Sequence, residues 1–171
     1  MSGIELIEAG PELRPVIENL MQLYIHDFSD FLVHGNRKTL SEDGRFFDYP
    51  LDPYWRDAGR SALLIRNDGL LAGFALINDQ GHTEAPIDFN MGEFFILRGH
   101  RRGGTGTAAA RAILARHPGR WEVAVARRNT PALPFWRRAI EGFSRADDIE
   151  ESDQDDAKWN GALFRFRVLP D

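Results

Sequence analysis

The chain has 171 residues, 43% hydrophobic and 27% charged, with a formal net charge of −5, which suits a single domain spanning 1–171 whose core buries roughly 70% of the unfolded surface. The acidic balance excludes a general nucleic-acid binder. The sequence has no cysteine, which excludes disulfides, thiolate metal sites and a cysteine nucleophile, and its five histidines lack metal-ligand spacing, so no metal is expected.

The opening MSGIELIEAG has neither the basic nor the apolar region of a leader, and no apolar run reaches the ~18 residues of a membrane span. A cytoplasmic protein without membrane contact is the expectation. Residues 4–7 read as a first strand. Pro11 opens a helix in which Leu13, Ile17, Leu20, Tyr24, Phe28 and Phe31 recur at three- and four-residue steps, and Gly35 stops it. Residues 36–58 form an irregular aromatic stretch, with Phe46, Phe47, Tyr49, Tyr54 and Trp55 broken by Pro50 and Pro53, and space for a short helix. Strands over 61–66 and 70–77 flank Asn67-Asp68-Gly69, a hairpin signal.

Residues 87–97 read as the next strand, 104–116 as a helix closed by Pro118-Gly119, and 121–126 as a strand. Thr130 is placed as the N-cap of a helix with Pro131 at its first position, running to Gly142. Strands follow over about 143–149 and 163–168. The order β, α, β, β, β, α, β, α, β, β implies one α/β domain with a mostly antiparallel sheet.

Charge is uneven along this order. Between Arg98 and Trp121 stand six arginines (98, 101, 102, 111, 116 and 120) and no acid, whereas residues 147–156 hold seven carboxylates. A basic island in an acidic chain points to a local anionic ligand. Within it lies RRGGTGTAAARAIL, residues 101–114. Gly103, Gly104 and Gly106 let the backbone approach an anion at a helix N-terminus, where free N–H groups and the helix dipole favour phosphate.

Three phosphate-bearing ligands compete for this loop. A nucleotide P-loop needs a Lys after its last glycine, and none is present. Gly104-x-Gly106-x-x-Ala109 has the letters of a dinucleotide fingerprint, and Glu122 lies 16 residues past Gly106. Against it, RGHRR separates the strand from the first glycine, and Glu122 opens its strand rather than ending it. The third ligand is coenzyme A. Arg101-x-x-Gly104-x-Gly106, preceded by Phe94-Phe95-Ile96-Leu97 and followed by Asn129-x-x-Ala132-x-x-Phe135, resembles the GCN5-related N-acetyltransferase (GNAT) family. GRWEVAVARRNTPALPFWRRAIEGF, residues 119–143, is similar to a bacterial branch of it.

The resemblance implies a GNAT-like α/β fold, with a central, mixed, mostly antiparallel sheet of six to seven strands flanked by helices. It implies that acetyl-CoA is the acyl-donor substrate, its pyrophosphate held by Arg101, Arg102, Gly103, Gly104, Thr105, Gly106 and Thr107, with the arginines supplying counter-charge. Phe95, Ile96 and Leu97 would border the thioester, a backbone N–H near Ile96 or Leu97 facing the oxyanion. Asn129 would hold the pantetheine arm, and Phe135 would line the groove. It further implies direct transfer in a ternary complex to an amine, on a small molecule or a peptide. A homodimer is compatible with this reading.

Acyl transfer to an amine needs a base, and Glu93 in MGEFFIL lies on the strand before the glycine loop. Alternation places it on one face with Met91, Phe95 and Leu97, where burial would raise its pKa. Where many relatives carry a tyrosine acid this chain has Trp136, whose indole N–H cannot supply a proton. The competing reading is a CoA-binding sensor or interaction module without turnover. For the acceptor, Tyr24, His26 and Asp30 on the first helix are the candidate contacts, with Gln22 on the same polar face as His26 and Asp30. The acidic run 147–156 reads as a solvated hairpin or loop, with a turn near Asn160-Gly161, or as an attractor for a cationic amine.

Overall fold

The computed structural model describes residues 3–31 and 40–171. Asp68 and Gly69 both adopt positive φ, 51° and 79°, as a two-residue hairpin turn requires. They join β2 (Ser61–Asn67) to β3 (Leu70–Asn78) in the predicted hairpin. The other elements are β1 (Ile4–Glu8), α1 (Arg14–Phe28), α2 (Pro53–Arg56), β4 (Phe89–Ile96), α3 (Thr105–Arg116), β5 (Gly119–Ala126), α4 (Ala132–Glu141), β6 (Ala146–Asp155) and β7 (Asn160–Val168). They form one seven-stranded sheet in the order β1-β2-β3-β4-β5-β7-β6. Only β4 and β5 run parallel; every other neighbouring pair is antiparallel. No described helix is long and apolar enough to cross a membrane.

Helices cover both faces. The stripe Ile17, Leu20, Met21 and Ile25 of α1 packs with Tyr54, Leu64, Phe74, Leu76 and Phe95. On the other face Ala109, Ile113 and Leu114 of α3 and Trp136 and Ile140 of α4 meet Met91, Ile96, Trp121, Val123 and Phe164. Each such large apolar side chain contributes roughly 1.5–3 kcal/mol by leaving water.

Several sequence expectations shift at their edges. The first helix is α-helical to Phe28 and tightens into a 3-10 turn over Ser29–Phe31; its expected stop at Gly35 lies outside the described residues, as do residues 36–39 of the aromatic stretch. The short helix expected in that stretch is α2. Helix α4 is capped by Pro131 itself, and no side chain, Thr130 included, bonds the cap. The acidic run is the solvated hairpin expected, not a loop: it forms the exposed edge strand β6 and the turn that leads into β7. Arginines of neighbouring elements steady it, Arg167 on Asp147 at 2.9 Å, Arg137 on Glu151 at 2.6 Å and Arg127 on Asp153 at 3.0 Å. The turn comes before Asn160-Gly161, where Asp156 Oδ1 accepts the N–H groups of Lys158 and Trp159.

Strand β4 departs from plain alternation beside Glu93. Leu76 pairs with Glu93 and Ile77 with Met91, so Gly92 is an extra residue in β4, a β-bulge. The bulge reverses the alternation. Met91 turns toward α3 and α4, while Phe95 and Leu97 face α1. Glu93 therefore shares a face with Phe95 and Leu97 but not with Met91. Glycine fits the bulge because a Cβ there would stand 2.6 Å from Asn78 Nδ2 and 3.2 Å from the Leu76 carbonyl.

Candidate active site

After β4 the chain makes a 3-10 turn over Arg98–His100 and enters α3 through Arg102 and Gly104, both at positive φ, 70° and 83°. No side chain caps α3. Its first N–H groups thus face outward with the positive end of the helix dipole. A Cβ on Gly103 or Gly104 would meet nothing within 4 Å, so both border open space, whereas Gly106 lies against Phe135, 3.2 Å from where its Cβ would stand. Arg102, Gly103, Gly104, Thr105, Gly106 and Thr107 come together at this mouth, which fits a phosphate-bearing ligand.

The arginines divide differently from the sequence expectation. Arg101 donates to the Ile96 carbonyl at 2.7 Å and pairs with Asp27, as does Arg98. The Arg101 guanidinium therefore fastens the loop to α1 instead of standing free for a phosphate. Burial works to raise the Asp27 pKa, but hydrogen bonds from Arg101 and Arg98 outweigh it and hold the carboxyl below its usual value. Arg111 donates to the Ala139 and Arg138 carbonyls, and Arg120 pairs with Asp88. Arg102 is exposed at the loop's rim. Asp27 went unnoticed in the sequence because its partners lie 71 and 74 residues away.

Strands β4 and β5 pair only at Phe89 with Trp121 and Asn90 with Glu122, then diverge. Successive N–H groups along a strand point to opposite edges. The Leu97 N–H bonds the Ala72 carbonyl at 2.8 Å, so it is not free for an oxyanion, and Phe94 and Ile96 present their N–H groups to the opening. Phe94 stacks on Phe135 with ring centroids 5.9 Å apart and meets Trp136 edge-on at 5.1 Å. Asn129 lies in the turn before α4, its N–H on the Ala126 carbonyl at 2.9 Å and its carbonyl taking the Ala132 N–H.

Glu93 stands on the α1 face of this opening. Tyr24 Oη donates to its Oε2 at 2.6 Å, and Tyr49 Oη donates to its Oε1 at 2.9 Å. Burial lifts the Glu93 pKa above the ordinary carboxylate value, and the two tyrosine hydrogen bonds oppose the rise. Both tyrosine pKa values are pushed up, first by burial and then by the Glu93 charge. The sequence offered Tyr24 as a substrate contact and gave no reason to choose Tyr49, 44 residues from Glu93. The structure does not bring His26 or Asp30 to this cluster: both are exposed, and the His26 ring packs near Phe46. Gln22 instead grips the backbone of Phe46, accepting its N–H at 2.8 Å. This holds the Tyr49 loop to α1 and walls a cleft of about 610 Å³ lined by Met21, Gln22, Tyr49, Pro50 and Leu51 among others.

A second polar feature crosses the same face. Asn78, Asn90, Glu122, Arg165 and Glu150 are successive cross-strand partners from β3 to β6. Glu122 is 0% exposed; the His82 N–H donates to its Oε1 at 2.6 Å, and His82 Nδ1 lies 2.7 Å from the same oxygen. Glu122 is thus committed inside the sheet, which removes it as a ribose ligand. Among the described residues, Asn90 Oδ1, Glu122 Oε2 and Arg165 Nε are buried without a hydrogen-bond partner, and no group of three or more His, Asp or Glu is arranged to hold a metal ion.

The chain matches the Acetyltransferase (GNAT) family over residues 17–141. No curated protein matches it. Among solved structures, an acetyltransferase from Thermus thermophilus is similar at 14% identity and TM-score 0.62, covering 97% of each chain. The PaiA N-acetyltransferase from Thermoplasma acidophilum, in complex with coenzyme A, is similar at 12% identity and TM-score 0.57, covering 98% of this chain and 99% of its own. YncA from Salmonella typhimurium, with acetyl-CoA, is similar at 11% identity and TM-score 0.56, covering 99% and 95%. At these identities the likeness is one of fold.

Proposed function

The chain belongs to the Acetyltransferase (GNAT) family, and from that premise we propose that it moves an acetyl group from acetyl-CoA to a primary amine by direct transfer within a ternary complex. The observation that carries this reading is the uncapped mouth of α3, with Gly103 and Gly104 bordering open space, beside a splayed pair of strands whose β4 member carries Glu93. The mouth suits the pyrophosphate of the donor. The Ile96 N–H, with Phe94 beside it, faces the thioester oxyanion. Glu93, with its raised pKa, takes the amine's proton. The acceptor enters from the cleft between α1 and the Tyr49 loop.

A second reading, a CoA-binding module without turnover, draws on Trp136. It is buried against Phe94 and Phe135 and offers no acid. Calorimetric titration with acetyl-CoA, beside dephospho-CoA and NADH, followed by a CoA-release assay over an amine panel, separates the two. Acetyl-CoA binding with CoA release supports the enzyme, and binding with no release for any amine leaves the module. A preference for NADH overturns both.

A further inference from the structure

Tyr49 stands between the acceptor cleft and the base. On one side it lines the cleft with Met21, Gln22, Pro50 and Leu51; on the other its hydroxyl donates to Glu93 Oε1 at 2.9 Å. Tyr24 holds the other oxygen at 2.6 Å, but its ring lies among Phe28, Phe74 and Phe95, with centroids 5.7, 5.9 and 5.5 Å away, and it does not line the cleft. Both carboxylate oxygens thus accept a tyrosine hydroxyl. Glu93 itself does not line the cleft; Tyr49 is the lining residue whose hydroxyl reaches it.

We propose that Tyr49 is a catalytic residue that carries the acceptor amine's proton to Glu93. The inference rests on reading Glu93 as the base of an acetyl transfer. The amine nitrogen attacks the thioester carbonyl carbon, and the carbonyl π pair moves onto oxygen. The nitrogen, now positive, gives a proton to Tyr49 Oη while the hydroxyl proton passes to Glu93 Oε1. The carbonyl then re-forms, the C–S bond breaks and CoA leaves as thiolate. Glu93 returns its proton by the same hydroxyl to the thiolate or to water. The sum is amine plus acetyl-CoA giving acetamide plus CoA thiol. No free tyrosinate forms, in keeping with the raised tyrosine pKa values, because one proton arrives as the other leaves.

The test compares Tyr49→Phe, Tyr24→Phe and Glu93→Gln in the full chain, with acetyl-CoA and benzylamine, 1,4-diaminobutane or glycinamide as acceptor probes. Each Phe variant loses one oxygen and keeps its ring, and circular dichroism verifies the fold. Both should move the acid limb of the rate profile to higher pH, since each hydroxyl lowers the Glu93 pKa. Tyr49→Phe should also lower the high-pH plateau of kcat by about a hundredfold with little change in KM, and Tyr24→Phe by only a few-fold. Equal plateaus for the two Phe variants, with Glu93→Gln inactive, overturn the relay and leave Glu93 as base. A Glu93→Gln plateau near wild type overturns the base and the relay together. No CoA release by the wild type with any probe overturns the enzyme reading and this inference with it.

Discussion

Glu93 is poised by opposing forces. Burial favours its neutral form, and the hydroxyls of Tyr24 and Tyr49 favour the charged one. The balance leaves the pKa raised, so proton uptake persists to higher pH in the folded chain than in the unfolded one. Glu93 then contributes stability below its unfolded pKa, and this is lost as pH rises through the folded value. Wherever it is ionised, the buried group is a burden on the fold. Glu93→Gln should therefore leave the melting temperature at pH 7 unchanged or higher while lowering kcat by at least a hundredfold; scanning calorimetry beside a CoA-release assay checks both. A lowered melting temperature would mean that the carboxylate is a structural anchor. The wild-type kcat should rise with pH along an acid limb lying above the ordinary carboxylate range, measurable with any amine whose own titration is corrected for.

At the scale of elements, the mouth of α3 depends on Gly104 at φ 83°. An L-residue there costs roughly 1–2 kcal/mol. Gly104→Ala should lower stability by about that amount and weaken acetyl-CoA modestly. Gly104→Asp adds a negative charge at the proposed phosphate site and should raise the Kd at least about tenfold beyond the Ala variant; calorimetric titration separates charge from conformation. At the bulge, Gly92→Ala presses on Asn78 and the Leu76 carbonyl, and should cost about 1–3 kcal/mol in urea unfolding. The glycine loop and the element order were legible because turn chemistry and local periodicity carry them. The bulge was not: MGEFFIL reads as plain alternation, and the extra residue emerges only when β4 is paired with β3. Tyr49 and Asp27 escaped for a related reason. Their partners are brought near by the sheet and α1, and no local spacing records such distant contacts.

For the whole molecule, the sheet consists of two ribbons, β1–β4 and β5-β7-β6, joined by two residue pairs. A donor bound between them, as proposed, would bind the folded chain alone and so add to stability. At 100 times Kd, acetyl-CoA should stabilise by about 2.7 kcal/mol, which is a rise in melting temperature of about 5–10 °C for a chain of this length. Thermal shift with acetyl-CoA and with dephospho-CoA measures it. No shift would mean that the donor does not enter the opening.

The notch between the ribbons also sets how solvent reads a single strand. Along β4 the amides of Phe95 and Leu97 turn to β3, and those of Phe94 and Ile96 turn to the notch. In deuterated water the strand should label as a comb, residues 94 and 96 exchanging fast and 95 and 97 slowly, though all four sit in one continuous stretch. Filling the notch would erase the teeth of that comb.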